Sequence, residues 1–350
     1  MSSLAPALQE SCREGLQEAL REGTSPIASE VASEVAHEAR TGLTASPRTL
    51  APWLFYDEQG SRLFEQITAL PEYYLTRTER ALFEIHADEI FLDLAANLTL
   101  AELGAGTAAK TGILLRALAC FQPEVLYQPI DISPTALEAA RETLERTLPA
   151  VTVCPQVANY ITGAFTLHRP ADTRILALYI GSSSGNFLPA QARAILTNLR
   201  TQLVPGDALL LGADLAPSLA KPVDTVLAAY DDAAGVTAAF NRNILARLNR
   251  DLGANFDLAA FRHVARWNPA DSRIEMHLES LRSQTVLIPA NAAGPALTLA
   301  FAPGETIHTE NSTKFSHAAL ESLLLDSGFV LDRLFTDPGQ LFAVALARVA

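Results

Sequence analysis

The stretch 100–111, LAELGAGTAAKT, carries the clearest chemical signal in the chain. An apolar run ends in Glu102, Gly104 and Gly106 stand two apart, and a helix-like pattern follows. A strand, a tight turn and a helix start are therefore expected. Glycine lacks Cβ, so a flat ligand can lie against the backbone of such a turn. The helix N-terminus offers N–H groups to polar or anionic ligand atoms. Farther on, YQPIDIS closes a second apolar run with Asp131, an acid placed to accept both ribose hydroxyls of an adenosine. The combination reads as a site for a nucleotide-type cofactor. Gly104-x-Gly106-x-x-Ala109 also satisfies a relaxed dinucleotide pattern, so NAD and S-adenosylmethionine both fit at this point. A glycine-rich turn with no ligand is the plain alternative.

Such residues need a frame. From Leu98 onward the pattern alternates, with strands expected at 98–103, 125–130, 150–154, 175–180 and 208–212. Helices are expected between them at 111–119, 134–146 and 189–202. That alternation predicts an α/β fold with a doubly wound parallel sheet. Right-handed crossovers put ligand loops at the carboxyl ends of the strands, so Gly104, Asp131, Asn159 and Asn186 should converge on one edge.

Near Asp214 the alternation stops. A helical region over 223–252 precedes strand-like pieces at 275–277 and 285–288. Runs at 297–301 and 305–310 suggest a hairpin about 302–304. A helix at 316–328 and a strand pair, 330–335 with 342–347, should close the chain. At the other end, 1–24 and 25–40 read as helices and the proline-containing 46–52 as a connector.

Composition excludes several classes. The 350 residues are nearly half hydrophobic, which is enough for two packed units. A net charge of −13 argues against a basic nucleic-acid groove. Cys12, Cys120 and Cys154 are few, far apart and outside any metal-type spacing, so neither a disulfide framework nor a structural metal is expected. No signal peptide or membrane-length apolar run is evident, and a cytoplasmic protein without nucleic-acid or membrane partners, most simply a monomer, is expected. The histidines show no metal-binding pattern, and Asp231-Asp232 reads as an acid pair at a helix turn.

Four phrases lie outside this general reading: LPEYYLTRTE, GSSSGNF, AAYDDAAGVTAAFNRN, and the pair IEM with TENSTKF. Together they resemble the bacterial histidine Nα-methyltransferases of ergothioneine biosynthesis, from about Gly42 to the C-terminus. The resemblance favours S-adenosylmethionine over NAD. It implies a Rossmann-like class I methyltransferase domain (78–216 and 315–350), an α+β substrate-binding domain (41–77 and 217–314) and an N-terminal extension (1–40). By position it implies cofactor contacts from Gly104, Lys110 (to the methionine part, or ordering the turn), Asp131, Asn159 and Tyr160. Asn159-Tyr160 stands where the family usually has Asp-Phe. It further implies that Asn186 holds the α-amino group, with Tyr56 nearby. Tyr73 and Tyr230 would grip the carboxylate, Met276 would pack on the ring, and Glu310 and Ser312 would read the imidazole nitrogens. GSSSGN departs from the usual GSTIGN, and Asn311 from the usual Ile or Val. Strand alternation turns Asn311 away from Glu310 and Ser312. The implied reaction is trimethylation of L-histidine to hercynine, with release of S-adenosylhomocysteine. Other readings are the same fold acting on another amino acid such as tryptophan, a nicotinamide-dependent oxidoreductase, and an amino-acid-binding regulator without turnover.

Overall fold

The computed structural model describes residues 10, 12, 14–17, 26–94, 96–161, 165–291 and 293–350. The chain separates into two compact units. One comprises Met1–Arg21, Leu75–Ala216 and Phe315–Ala350; the other comprises Glu22–Tyr74 and Pro217–Lys314.

The first unit is built on an eight-stranded sheet. Its main path runs Phe329–Thr336, Phe342–Val349, Ala208–Asp214, Arg174–Tyr179, Leu98–Leu103, Val125–Asp131 and Val151–Val153, with Gln156–Val157 also paired to Val125–Asp131. The strands from Leu98 to Asp214 are mutually parallel, and Phe342–Val349 runs antiparallel to Ala208–Asp214. All six residues of Leu98–Leu103 and all seven of Ala208–Asp214 are buried, Thr99, Glu102 and Asp214 included, as in parallel strands covered by helices on both faces. From Leu98–Leu103 the chain first builds outward on one side and then returns to build the other. The crevice at the carboxyl end of Leu98–Leu103 is thus a topological switch point, the place where open α/β sheets bind ligands. Helices Thr111–Phe121, Pro134–Thr147, Pro189–Thr201 and His317–Asp326 supply the layers. Pro at the first position and a Ser133 side-chain cap (Ala136 N–H to Oγ, 3.3 Å) start the helix that follows Asp131.

The second unit carries a four-stranded sheet in the order Arg48–Thr49, Thr306–Thr313, Arg273–Ser280, Phe261–Asn268, together with a separate ribbon of Gln284–Ile288 and Leu297–Phe301. Helices Pro26–Thr44, Glu58–Thr68, Val223–Ala228 and Val236–Leu252 belong with it.

Several expectations need correction. The run at 297–301 does not form a hairpin with 305–310. It pairs with Gln284–Ile288, while Thr306–Thr313 pairs with Arg273–Ser280. A tight turn between two strand-like runs does not decide which partner buries each apolar face. The 46–52 connector contains a short strand, Arg48–Thr49, parallel to Ile307 and His308. Phe261–Asn268 is a strand that its exposed Arg262 and Arg266 concealed. The helical stretch 223–252 breaks before Gly235, and Asp232 takes the amides of Val236 and Thr237 (3.0 and 2.7 Å) at the next helix start. Residues 10, 12 and 14–17 are helical; the rest of the helix expected over 1–24 lies outside the described residues. Finally, Cys12 and Cys154 form a disulfide across a separation of 142 residues. Both are buried against Leu126, a proximity that folding creates and chain spacing hides.

Candidate functional site

In the first unit the backbone turns sharply after Leu103. Gly104 (φ +71°) and Gly106 (φ +53°) occupy the left-handed region, where a Cβ is strained. The Gly104 amide donates to the Ile130 carbonyl at 2.8 Å, tying the turn to the next strand. Asp131, at the end of that strand, accepts from Gly106 N–H at 2.8 Å with one oxygen and from Ser133 N–H at 2.9 Å with the other. Burial raises its pKa and these backbone bonds oppose the rise. Each carboxylate oxygen has a second lone pair for a further donor. Tyr160 lies directly under the turn, and a Cβ on Gly104 would meet its hydroxyl at 3.3 Å. Its ring stands edge-on to Tyr179 at 5.8 Å, and burial pushes its phenol up to about 12. Asn159 uses Oδ1 to accept from Ile161 N–H at 3.1 Å, which shapes the loop around Tyr160.

Lys110 is engaged within the protein. It forms an ion pair with Glu79, which is fully buried and whose other oxygen accepts from Gly181 N–H at 2.7 Å. Glu79 thus joins the first glycine turn to the GSSSGNF loop. Space for the pair depends on glycines: a Cβ on Gly181 would lie 2.9 Å from Lys110 Nζ, and one on Gly212 would lie 2.1 Å from Glu79 Oε1. Glu79 closes the phrase LPEYYLTRTE, but nothing local signals its role, because its partners come from two distant segments. In the same loop Ser182 (φ +59°) accepts from Asp214 N–H at 2.9 Å, and Asn186 ends the short helical turn Ser183–Asn186. Behind the first turn, Glu102 accepts from Thr111 Oγ1 at 2.7 Å and from the Tyr127 hydroxyl. Burial lifts it to about 7 against those bonds.

The second unit gathers the other residues. The rings of Tyr56, Phe64, Tyr73, Tyr230 and Phe240 form one chain of contacts. Tyr56 meets Phe64 at 5.8 Å, Phe64 meets Tyr73 at 6.3 Å, and Tyr73 meets Tyr230 at 6.2 Å. In the sheet, Glu310 stands opposite Met276 and Ser312 opposite Ile274, after an irregularity between His308 and Glu310. Glu310 and Ser312 therefore share a face, and Asn311, opposite Glu275, has the other. Burial pushes Glu310 up to about 8, while the Lys314 charge pulls the other way. The Ser312 hydroxyl lies 2.6 Å from that of Tyr230, and Lys314 Nζ donates to both at 2.8 Å. Lys314 did not stand out in the sequence, since a lysine just after a strand normally faces water. Here it is buried.

The Tyr230 backbone is held by His263, whose Nε2 faces the Tyr230 carbonyl at 2.8 Å and whose Nδ1 faces Asn241 Nδ2 at 2.8 Å. A carbonyl only accepts and an amide NH₂ only donates, so the ring is the neutral Nε2–H tautomer. Burial lowers its pKa in keeping with that state.

A parallel sheet with a left-handed glycine turn at its switch point, clasped by an acid from the next strand, defines a Rossmann-like domain of the class I methyltransferase type. A family profile described as histidine-specific, SAM-dependent methyltransferase matches residues 35–349, and the chain belongs to that family. It is 41% identical to a histidine N-alpha-methyltransferase of Mycolicibacterium smegmatis, over 89% of this chain and 93% of that one. It is 40% identical to the protein of the same name from Mycobacterium tuberculosis, over 88% and 92%. It is also 34% identical to the Neurospora crassa ergothioneine biosynthesis protein 1, over 59% of this chain and 23% of that one. The donor set suits S-adenosylmethionine: Asp131 keeps lone pairs for ribose hydroxyls, and a Cβ at Gly106 would project into open space. Among the described residues no helix is long and apolar enough to cross a membrane.

Proposed function

We propose that this protein transfers three methyl groups from S-adenosylmethionine to the α-amino nitrogen of L-histidine, giving hercynine, the first step of ergothioneine biosynthesis. The observation that carries the choice of substrate is the pairing of Glu310 with Met276 in one register, with Ser312 on the same face. A carboxyl group, a hydroxyl and a soft thioether together suit an imidazole, which is flat and has two nitrogens to satisfy.

When bound, S-adenosylmethionine supplies an electrophilic methyl on sulfur and leaves as a neutral thioether. The residues therefore stabilise no developing anion; their task is alignment. Holding a nucleophile roughly 3 Å from its target and in line supplies several kcal/mol of the barrier. In this reading Gly104, Asp131, Asn159 and Tyr160 hold the nucleoside, and Lys110 orders the turn through Glu79. The second unit binds the amino acid. Glu310 and Ser312 take the ring nitrogens, Met276 packs on the ring, Tyr73 and Tyr230 take the carboxylate, and Asn186 orients the amine. Asn186 and tyrosine hydroxyls set no fixed anion at the amine, so its pKa is not raised and its proton leaves to water, with Tyr56 beside that path. The series ends at three methyls because a quaternary nitrogen has no lone pair.

The test is mass spectrometry of the purified protein incubated with S-adenosylmethionine and an equimolar pool of the twenty amino acids. Three added methyl groups on histidine alone is the expected result. Methylation of a different amino acid overturns the assignment of Glu310 and Ser312. Cofactor binding without turnover favours a regulator.

A further inference from the structure

Cys12 and Cys154 do not stand alone. His168 lies beside them, and a ring nitrogen and the two sulfurs are all within 4.8 Å of one another. The three residues come from distant places: Cys12 from the N-terminal helical residues, Cys154 from just after Val151–Val153, and His168 from the segment before Arg174–Tyr179. One strand, Val125–Asp131, fixes two of them. The Cys154 amide donates to the Tyr127 carbonyl at 2.8 Å. The side chain of Gln128, fully buried, donates from Nε2 to the His168 carbonyl at 2.8 Å and accepts from the His168 amide at 2.6 Å. Leu126 alternates to the same face of that strand as Gln128 and clusters with both cysteines. The His168 backbone is thus held, while its ring makes no hydrogen bond to any described residue. The cysteines are buried and the histidine is half-buried, so the group keeps a side toward solvent.

We propose that Cys12, Cys154 and His168 form a redox-gated site for Zn²⁺. Disulfides persist where the surroundings are oxidising. There the two sulfurs are bonded to each other and offer no thiolate. Reduction by a phosphine breaks the S–S bond: the disulfide gains two electrons and two protons, and the phosphine leaves as its oxide with the oxygen of water. Two thiols then face one imidazole. Zn²⁺ displaces both thiol protons to solvent and takes two thiolates and one ring nitrogen, three of the four ligands of a tetrahedral site, with water from the solvent side as the fourth. Sulfur and imidazole donors select zinc over magnesium and calcium, which take oxygen. Two thiolates also neutralise the dication, so no net charge is buried. The site accounts for the placement of His168, since a disulfide needs no imidazole beside it. Metal and disulfide exclude each other on the same two sulfurs. The site lies within the first unit and does not depend on the choice of substrate.

The experiment titrates the full chain with Co²⁺, a coloured stand-in for zinc, and then displaces it with Zn²⁺. Cys120, the exposed free thiol, is replaced by Ser throughout. One sample is oxidised and the other is reduced with a phosphine and kept without oxygen. The reduced chain is expected to bind one equivalent of Co²⁺, with thiolate-to-metal charge-transfer absorption and tetrahedral d–d bands. Zn²⁺ should displace it with a dissociation constant of about 1 μM or tighter and raise the unfolding midpoint of the reduced chain. The oxidised chain should show no such bands. Cys12→Ser with Cys154→Ser should abolish the charge-transfer band. His168→Ala should keep that band, shift the d–d bands and weaken Zn²⁺ by at least about 10-fold. Equal binding by the reduced and oxidised chains overturns the proposal. So does a charge-transfer band that survives loss of both cysteines, or Zn²⁺ affinity unchanged in His168→Ala. Should a variant fail to fold, the two redox states of the chain with both cysteines and His168 intact still decide. If the reduced chain unfolds, recovery of its structure on adding Zn²⁺ supports the site and no recovery overturns it.

Discussion

Gly104 and Tyr160 are in such close approach that a Cβ on the glycine would sit 3.3 Å from the phenol oxygen, on a backbone already at φ +71°. Turn and ring therefore form one unit, in which the aromatic floor of the proposed nucleoside site is fitted to a missing side chain. Gly104→Ala is expected to destabilise the protein by about 1–2 kcal/mol through the left-handed backbone and to weaken S-adenosylhomocysteine binding as Tyr160 shifts. Denaturant midpoints and calorimetry measure the two effects. Tyr160→Phe in the same background should relieve only the second.

The Lys110–Glu79 pair is asymmetric, and its variants should be too. Glu79 is fully buried, whereas the Lys110 side chain is 23% exposed. Lys110→Met strands a buried carboxylate and should destabilise by about 3 kcal/mol or more. Glu79→Gln leaves a lysine that can reach water and an oxygen that still accepts from Gly181 N–H, so about 1 kcal/mol is expected. Urea unfolding of the two variants checks the order; equal losses would contradict it.

Glu102 gives stability a pH dependence of known sign. Burial pushes its pKa up to about 7 in the folded chain, above the ordinary 4.5 of a glutamate, so between these values the folded state binds more protons than the unfolded state. Stability from this group is greatest at the acid end of that window and falls as pH rises through it. Glu102→Gln keeps an acceptor for Thr111 and Tyr127 and does not titrate. Relative to wild type, the variant should gain stability from pH 5 to pH 8 and level off beyond. Unfolding midpoints across that range measure it, and a parallel pair of curves would rule the assignment out.

Glu310→Ala should lower kcat/KM for histidine by at least about 10-fold, since a site built to bond a ring N–H discriminates strongly, and should admit other aromatic amino acids. Histidine turnover that survives intact would move the imidazole reader elsewhere.

The Cys12–Cys154 bond closes a loop of 142 residues. Its removal by Cys12→Ser with Cys154→Ser should destabilise the first unit by about 4–5 kcal/mol on the loop-entropy account. The double variant should also be insensitive to reductant, while the wild-type midpoint falls when dithiothreitol is added.

Much of this was written locally. The alternating runs from Leu98 to Asp214, the glycine turn at Gly104 and Gly106, and Asp131 at a strand end follow from periodicity and from glycine's conformational freedom, which act over a few residues. The choice of strand partners was not local. Leu297–Phe301 could face either neighbour, and the burial of Val286 and Leu299 decided for Gln284–Ile288. The same holds for the chemistry that sequence spacing missed. Glu79 gains its meaning from Lys110 and Gly181, Lys314 from Tyr230 and Ser312, and Cys12 from Cys154. Sequence determines which residues are donors, acceptors or charges. Whether a charge is solvated or enclosed, and by what, depends on residues brought together from far along the chain, and only the tertiary structure settles that.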